Sequence, residues 1–136
     1  MSGYPHVAPF PTRWSDNDYY GHLNNTIYYG AMDTTINAWL IRSAGFDLEH
    51  ADAIALCVSS GCEFAASASF PEPLEVGLRA GKVGTSSVTW ELGILRGQEL
   101  LATGTFVHVF VDRQSRRPVP IPAELRATIE RELVVG

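Results

Sequence analysis

The feature that most constrains this chain is a helical pattern from Thr26 to Gly45 that is apolar on nearly every side. Spacings of four and three residues mark one helix face, and they relate Ile27, Ala31, Thr34, Ala38, Ile41 and Gly45. A second apolar stripe beside it comprises Tyr28, Met32, Thr35 and Trp39. Asp33 and Arg42 are the only charged residues in this segment. Such a pattern predicts a buried helix, with Asn24 or Asn25 as its N-cap and Gly45 as its end.

The rest of the chain predicts strands that surround this helix. Alternating apolar and polar residues favour half-buried strands at Leu74–Ala80 and Val88–Ile94. The other predicted elements are an irregular edge strand from His6 to Trp14 that contains Pro9 and Pro11, a strand from Ile54 to Val58 that can continue toward Phe70, a hairpin turn at Arg96–Glu99, a strand over Leu100–Asp112 and a last helix over Pro122–Leu133. One long apolar helix needs a sheet wrapped around it, which predicts an α+β fold in a single domain over residues 1–136.

Composition narrows the possible functions and partners. The net charge is −5, with 10 basic and 15 acidic residues, so we expect no nucleic-acid partner. No stretch approaches the roughly 20 apolar residues of a membrane span, and Met1 to Phe10 lacks a signal-peptide pattern. We therefore expect a cytoplasmic protein without a membrane partner. Charged residues make up only 18% of the chain, which favours burial of surface in a homo-oligomer.

The two cysteines, Cys57 and Cys62, predict neither a disulfide nor a metal site. Their offset of five places them on opposite faces of a strand. Neither stands in a metal-binding spacing, so we expect buried, inert thiols and no bound metal.

The segment from Arg13 to Tyr28 carries the chemistry. It places two carboxylates, an imidazole and several side-chain amides in the loop that leads into the apolar helix. The first amides of a helix lack intrahelical partners and carry the positive end of its dipole, so they can stabilise the oxyanion that forms from a thioester carbonyl. Gly21 allows close approach of backbone to such a carbonyl. The Asp18 carboxylate can attack the carbonyl or activate a water.

This segment resembles the signature of the 4-hydroxybenzoyl-CoA thioesterase family of hotdog proteins, a D-x-D-x-x-G-H-x-N-N run that here spans Asp16 to Asn25. Weaker similarity continues at Lys82–Val88, Phe110–Asp112 and Arg117–Pro122. The resemblance implies a hotdog fold, a homodimer or homotetramer, and hydrolysis of acyl-CoA thioesters without a cofactor. It implies that Asp18 is the catalytic aspartate and that the amide donor lies near Gly21 and His22.

Other residues near this signature have two interpretations each. His22 orients the carbonyl or water, or only holds the loop; Asn25 is a helix cap that also faces the substrate. Tyr28, Met32 and Phe64 are candidate neighbours of the acyl group. By resemblance, one of Thr85, Ser86 and Ser87 approaches the thioester from a partner subunit, although turn hydroxyls usually bond nearby backbone. Lys82, Arg116 and Arg117, with Arg113, either bind CoA phosphates or form a solvated turn.

Some residues are expected to be structural. Asp16 is interpreted as a residue that bonds turn amides, His108 as a packed core histidine, and Glu63 as a glutamate at a sheet edge.

The leading hypothesis is an acyl-CoA thioesterase with Asp18 as nucleophile or general base. One alternative is hydration of an enoyl thioester on the same fold, and another is hydrolysis of acyl groups carried by acyl carrier protein. A third is a non-catalytic acyl-CoA binding module. The sequence does not decide the acyl length, or aromatic against aliphatic preference.

Overall fold

A computed structural model describes residues 3–135 of the chain. Its elements are β1 (His6–Pro11), α1 (Asn25–Ala38), a π-helical extension of α1 (Trp39–Ser43), β2 (Ala53–Phe64), β3 (Pro73–Val83), β4 (Ser87–Arg96), β5 (Glu99–Asp112) and α2 (Ala123–Glu132). The predicted single domain over residues 1–136 also includes Met1, Ser2 and Gly136, which lie outside the described residues.

The strands form one antiparallel sheet in the order β1-β3-β4-β5-β2. Its central strand, β4, alternates as the sequence predicted, with buried Val88, Trp90 and Leu92 directed toward α1. β1 is an edge strand, where its prolines are tolerated. It ends at Pro11 rather than Trp14, because Trp14–Asp16 forms a short 3-10 turn. The sheet and its long helix confirm the predicted α+β fold of the hotdog type.

Only one face of α1 is buried, which corrects the expectation of a helix buried all round. The buried side chains are those of Tyr28, Met32, Thr35, Ile36, Trp39 and Leu40. The stripe that begins at Ile27 is open: Thr34 is exposed, and Ile41 is 51% exposed. Large side chains gain more from burial than small ones, since the gain follows the apolar area removed from water. The sheet therefore receives the stripe of large residues.

Close contact between α1 and the sheet depends on Gly104 of β5. A Cβ atom at this position would meet the Met32 side chain, with its Cε only 2.9 Å away. Farther along the helix, Trp39 packs against Trp90 with ring centroids 6.1 Å apart. α2 adds Leu125 and Ile129 to the same core.

β2 is the second edge strand of the sheet and has a β-bulge between Cys57 and Ser59. The bulge corrects the prediction that the two cysteines lie on opposite strand faces. Cys57 pairs with His108 and Cys62 pairs with Gly104, two residues on the same face of β5. The extra residue shifts the strand's alternation by one, so both thiols lie on the side of α1. Both cysteines are free thiols, but Cys57 is exposed and Cys62 is only partly buried, which corrects the expectation of buried thiols.

Candidate active site

Asp18 lies at the start of a tight turn just before α1. The turn closes through a bridge between Asn17 and Leu23 and a hydrogen bond from the Asp18 N–H to the His22 carbonyl oxygen, 2.9 Å long. At its tip, the Gly21 N–H donates to the Asp18 carbonyl oxygen at 3.1 Å. Gly21 has φ +82°, a left-handed conformation that glycine adopts without strain. The glycine of the signature thus makes the turn possible.

The two carboxylates of the signature have different environments. Asp16 is 2% exposed, and it accepts hydrogen bonds from the Arg13 backbone N–H at 2.8 Å and from the Arg13 guanidinium at 2.9 and 3.1 Å. This pair fixes the 3-10 turn, so Asp16 is structural, as the sequence analysis expected. The Asp18 side chain is 22% exposed, and within residues 3–135 no Lys or Arg pairs with it.

The Asp18 carboxylate faces the turn and His22. Its Oδ1 accepts the Tyr20 N–H at 2.8 Å and lies 3.9 Å from His22 Nδ1. The Tyr20 ring stacks on the His22 ring, with centroids 6.2 Å apart and 21° between the planes. Asp18 therefore keeps free acceptor capacity next to an imidazole held by an aromatic neighbour.

The first free helix amide belongs to Asn25, the first residue of α1. The N-cap residue Asn24 accepts the Thr26 N–H on its side chain and the Ile27 N–H on its carbonyl, each at 3.0 Å. Within the described part of the chain, no acceptor lies against the Asn25 N–H. The sequence predicted the donor near Gly21 and His22, but the Gly21 amide already serves the turn. The Asn25 N–H is therefore a free hydrogen-bond donor at the positive end of the helix dipole.

A cavity of about 280 Å³ opens beside this helix start. It is lined by His22, Leu23, Asn25, Tyr28, Phe64, Ala65, Ala66 and Ser67. The Tyr28 and Phe64 rings meet edge to face, 5.1 Å apart, and Phe64 is 43% exposed. Burial raises the pKa of the Tyr28 phenol, which therefore stays protonated at neutral pH. Four of the predicted site residues, His22, Asn25, Tyr28 and Phe64, thus line one cavity, and His22 connects it to Asp18. The prediction for Met32 is wrong, because its side chain is fully buried against the sheet and does not line this cavity.

Another cavity, of about 380 Å³, lies on the opposite flank of α1 against β1. The Arg13–Asp16 pair and the small residues Gly30 and Ala31 are part of its lining. No residue of the Asp18–His22 turn lines it, so the free carboxylate and this cavity are separate.

Within one chain, the predicted site residues Thr85, Ser86 and Ser87 lie far from Asp18. Arg96, the last residue of β4, donates to the Ser67 carbonyl oxygen, so this end of the strand lies near the Asp18 turn. Ser87 is the first residue of β4 and lies at the opposite end. Nine residue steps at about 3.3 Å each separate the two ends by about 30 Å. Thr85 and Ser86 belong to the Ser87 end.

Backbone hydrogen bonds give Thr85 and Ser86 a structural role. The Thr85 and Ser86 carbonyl oxygens accept the Ile121 and Phe110 N–H groups at 2.9 and 2.7 Å. Arg113 is also structural: its guanidinium donates to the Leu48 and Ala51 carbonyls at 2.5 and 2.8 Å.

Most of the ten basic side chains are engaged within the chain. Six make ion pairs or hydrogen bonds through the guanidinium: Arg13, Arg79, Arg96, Arg113, Arg126 and Arg131. The other four find no partner for the side-chain cation among residues 3–135: Arg42, Lys82, Arg116 and Arg117. All four lie toward the Ser87 end, since Phe46, just beyond Arg42, packs on Phe110. Arg42 is not among the predicted cations, because its position relative to the sheet has no local signal in the sequence.

The described residues contain neither a cluster of metal ligands nor a membrane-spanning helix. Between residues 3 and 135, no three His, Cys, Asp or Glu side chains converge as metal ligands. Over the same range, no helix has the length and hydrophobicity that crossing a bilayer requires.

A five-stranded antiparallel sheet on one long helix, with an acidic turn at the helix start, defines the hotdog class of proteins. The sequence pattern of the thioesterase-like superfamily matches residues 12–129. The chain therefore belongs to this superfamily. No curated protein matches it significantly.

Solved structures agree with this assignment. The PA5185 protein from Pseudomonas aeruginosa strain PAO1 is 44% identical, with a TM-score of 0.91 over 98% of this chain and 95% of that chain. PA2801, a candidate thioesterase from Pseudomonas aeruginosa, is 32% identical, with a TM-score of 0.85 over 93% and 98%. Slr0204, a 1,4-dihydroxy-2-naphthoyl-CoA thioesterase from Synechocystis, is 19% identical, with a TM-score of 0.79 over 91% and 96%, and shows likeness of fold alone.

Proposed function

We propose that this protein is an acyl-CoA thioesterase that hydrolyses its substrate at Asp18, at the start of α1. Two features beside a cavity that His22 and Tyr28 line carry the proposal: the Asp18 carboxylate, which no Lys or Arg pairs with among residues 3–135, and the Asn25 amide, which has no acceptor in the same range. A carboxylate supplies the nucleophile or general base of thioester hydrolysis, and the amide supplies the oxyanion donor. Membership in the thioesterase-like superfamily supports the same reaction.

In the proposed reaction, the thioester carbonyl lies at the Asn25 N–H. Attack by water activated by Asp18, or by the carboxylate itself, gives a tetrahedral oxyanion that the amide and the helix dipole stabilise. Removal of one such donor typically costs about 10²–10³ in rate. Collapse of the intermediate expels the CoA thiolate, which takes up a proton. In the nucleophilic route, water then hydrolyses the mixed anhydride. Both routes give a carboxylic acid and free CoA.

A second copy of the chain completes the proposed site. β2 is a 12-residue edge strand, and its Leu56, Val58 and Phe64 side chains are 37%, 61% and 43% exposed. An open, apolar edge of this length is suited to pairing with another strand. Under two-fold symmetry, β2 pairs antiparallel with its own copy, so the Ala53 end of the second copy lies beside Phe64.

This arrangement would bring the separated residues together. Ala53 pairs with Asp112, so it belongs to the end of the sheet that holds Thr85–Ser87, Lys82, Arg116 and Arg117. A second copy therefore presents its unpaired cations near the Asp18 turn. Cations of this kind bind phosphates, and we assign them to the CoA phosphates, with Thr85–Ser87 near the thioester.

A panel of CoA thioesters tests the activity. We expect thiol release from at least one of acetyl-, hexanoyl-, decanoyl-, palmitoyl-, benzoyl- and 4-hydroxybenzoyl-CoA, with a preference that reports the shape of the acyl site. Absence of thiol release across the panel at micromolar enzyme would contradict the proposal.

Mixed oligomers test the shared site. Asp18→Asn and the double variant Arg116→Ala/Arg117→Ala should each be impaired alone. If each site combines Asp18 of one copy with the arginines of the other, random reassortment restores about a quarter of the sites, because half of the dimers are mixed and each has one intact site. No recovery after verified subunit exchange would place both groups in the same chain's site.

A further inference from the structure

A short segment after β2 holds both arms of the Asp18 turn. The Leu23 N–H donates to the Ala68 carbonyl oxygen at 2.8 Å. On the other arm, the Phe70 N–H donates to the Asn17 side-chain oxygen at 3.0 Å. These contacts join residues about fifty positions apart, so the turn is positioned from outside rather than by its own hydrogen bonds alone.

The tip of the turn is also contacted by a side chain from the segment after β2. The Ser69 hydroxyl donates to the Gly21 carbonyl oxygen at 2.6 Å, across 48 residues of sequence. Gly21 is bonded through its N–H to Asp18. The hydroxyl therefore fixes Gly21, the residue whose N–H bonds to the Asp18 backbone.

Ser69 is in turn held by an ion pair at the end of the sheet. Its N–H donates to Glu72 Oε2 at 2.5 Å, and Arg96 Nη1 donates to Glu72 Oε1 at 2.6 Å. The same guanidinium binds Glu99 at 2.9 Å. The Ser69 amide and the Arg96 guanidinium lower the pKa of Glu72, so the pair stays charged at neutral pH. A continuous set of contacts thus runs from the β4–β5 hairpin to the tip of the turn.

We propose that Ser69 and Glu72 are positioning residues for Asp18, and that hydrolysis depends on the Arg96–Glu72–Ser69–Gly21 contacts. This inference rests on the function proposed above, since it concerns the same carboxylate. Ser69 and Glu72 are only partly buried, and neither lines the cavity of about 280 Å³. Their side-chain hydrogen bonds join the turn to its anchor, and a misplacement of about 1 Å at a reacting group can cost about 10² in rate.

Four variants test the role. Ser69→Ala removes the hydroxyl and Ser69→Thr keeps it; Glu72→Gln removes the charge. Glu75→Gln is the matched control, because Glu75 is exposed on β3 and has no side-chain partner among residues 3–135. We expect kcat for the fastest CoA thioester of the panel to fall about tenfold to a hundredfold in Ser69→Ala. Glu72→Gln should fall in the same direction, KM should change less than about twofold, and Ser69→Thr should recover most of kcat.

Amide hydrogen exchange gives a readout that does not depend on turnover. In Ser69→Ala, residues 17–23 should exchange at least about tenfold faster, while exchange in β4 and β5 is unchanged. Wild-type exchange in that segment, or wild-type kcat in both Ser69→Ala and Glu72→Gln, overturns the positioning role. Retained turnover in Asp18→Asn is a different result, because it removes the proposed function itself and leaves the exchange data as the test of the contacts.

Discussion

A methyl group added at Gly104 tests how α1 is held against the sheet. The Cβ atom of Gly104→Ala would point at the end of the Met32 side chain, which is fully buried. Overpacking of a core typically costs about 1–3 kcal/mol. Two effects reduce this cost. The Met32 thioether is flexible and can move. Alanine also lowers the conformational entropy of the unfolded chain relative to glycine, which stabilises the protein by about 0.4–1 kcal/mol. We therefore expect a net loss of about 1 kcal/mol in the free energy of unfolding.

A double-mutant cycle separates this clash from other effects. Met32→Ala alone should cost about 2–5 kcal/mol, as large-to-small core changes do. In the Gly104→Ala background the same change should cost less by about 1 kcal/mol, because the new methyl group occupies part of the vacated space.

Urea unfolding at one fixed protein concentration measures all of these variants, since oligomer stability depends on concentration. Gly30→Ala is the opposite control: nothing lies within 4 Å of its added Cβ, and an interior helix glycine replaced by alanine should gain about 0.5–1 kcal/mol. A Gly104→Ala protein as stable as wild type, with no coupling to Met32, would refute the packing argument.

Two further predictions concern pH and assembly. Burial lowers the pKa of His108, so below about pH 6.5 the unfolded chain binds a proton that the folded chain does not, and stability falls as the pH drops. The His108→Phe variant should therefore lose less stability than wild type between pH 7.5 and 5 in thermal melts. Some pH dependence should remain, because burial also lowers the pKa of His6. A dependence of stability on pH equal to that of wild type would contradict this prediction. Val58→Glu, at the exposed middle of β2, should weaken self-association at least about tenfold in sedimentation experiments, and unchanged association would exclude this edge from the interface.

The sequence predicted the elements of the fold because their signals are local. Alternation at Val88–Ile94 and the turn at Arg96–Glu99 depend on neighbouring residues, and both agree with the structure. The face of α1 that becomes buried was not decided, since both apolar stripes satisfied the helical period. Side-chain size decides it, because the sheet accepts Met32 only where Gly104 leaves space. The bulge near Val58, which reverses the expected face of one cysteine, also has no local signal.

The candidate site also has a part that local sequence could predict and a part that it could not. Asp18, His22 and Asn25 lie within eight residues, so one loop brings them together, and the sequence could group them. The proposed donor is Asn25 rather than the predicted backbone of Gly21 and His22, because the Gly21 N–H serves the turn and the Asn24 cap leaves the Asn25 N–H as the first free helix amide. The contact of Ser69 with the turn spans 48 residues and has no sequence signal.

Single-turnover hydrolysis by Asp18→Asn is the most direct test of the central claim, that this carboxylate acts on a thioester at the start of α1. Asp52→Asn is the matched control, since that exposed aspartate has no side-chain partner among residues 3–135. We expect Asp18→Asn to keep wild-type stability and binding of a non-hydrolysable CoA thioether, yet to release thiol at least about 10³-fold more slowly, the scale of lost base and nucleophile function. Thiol release by Asp18→Asn at the rate of the Asp52→Asn control would contradict the account.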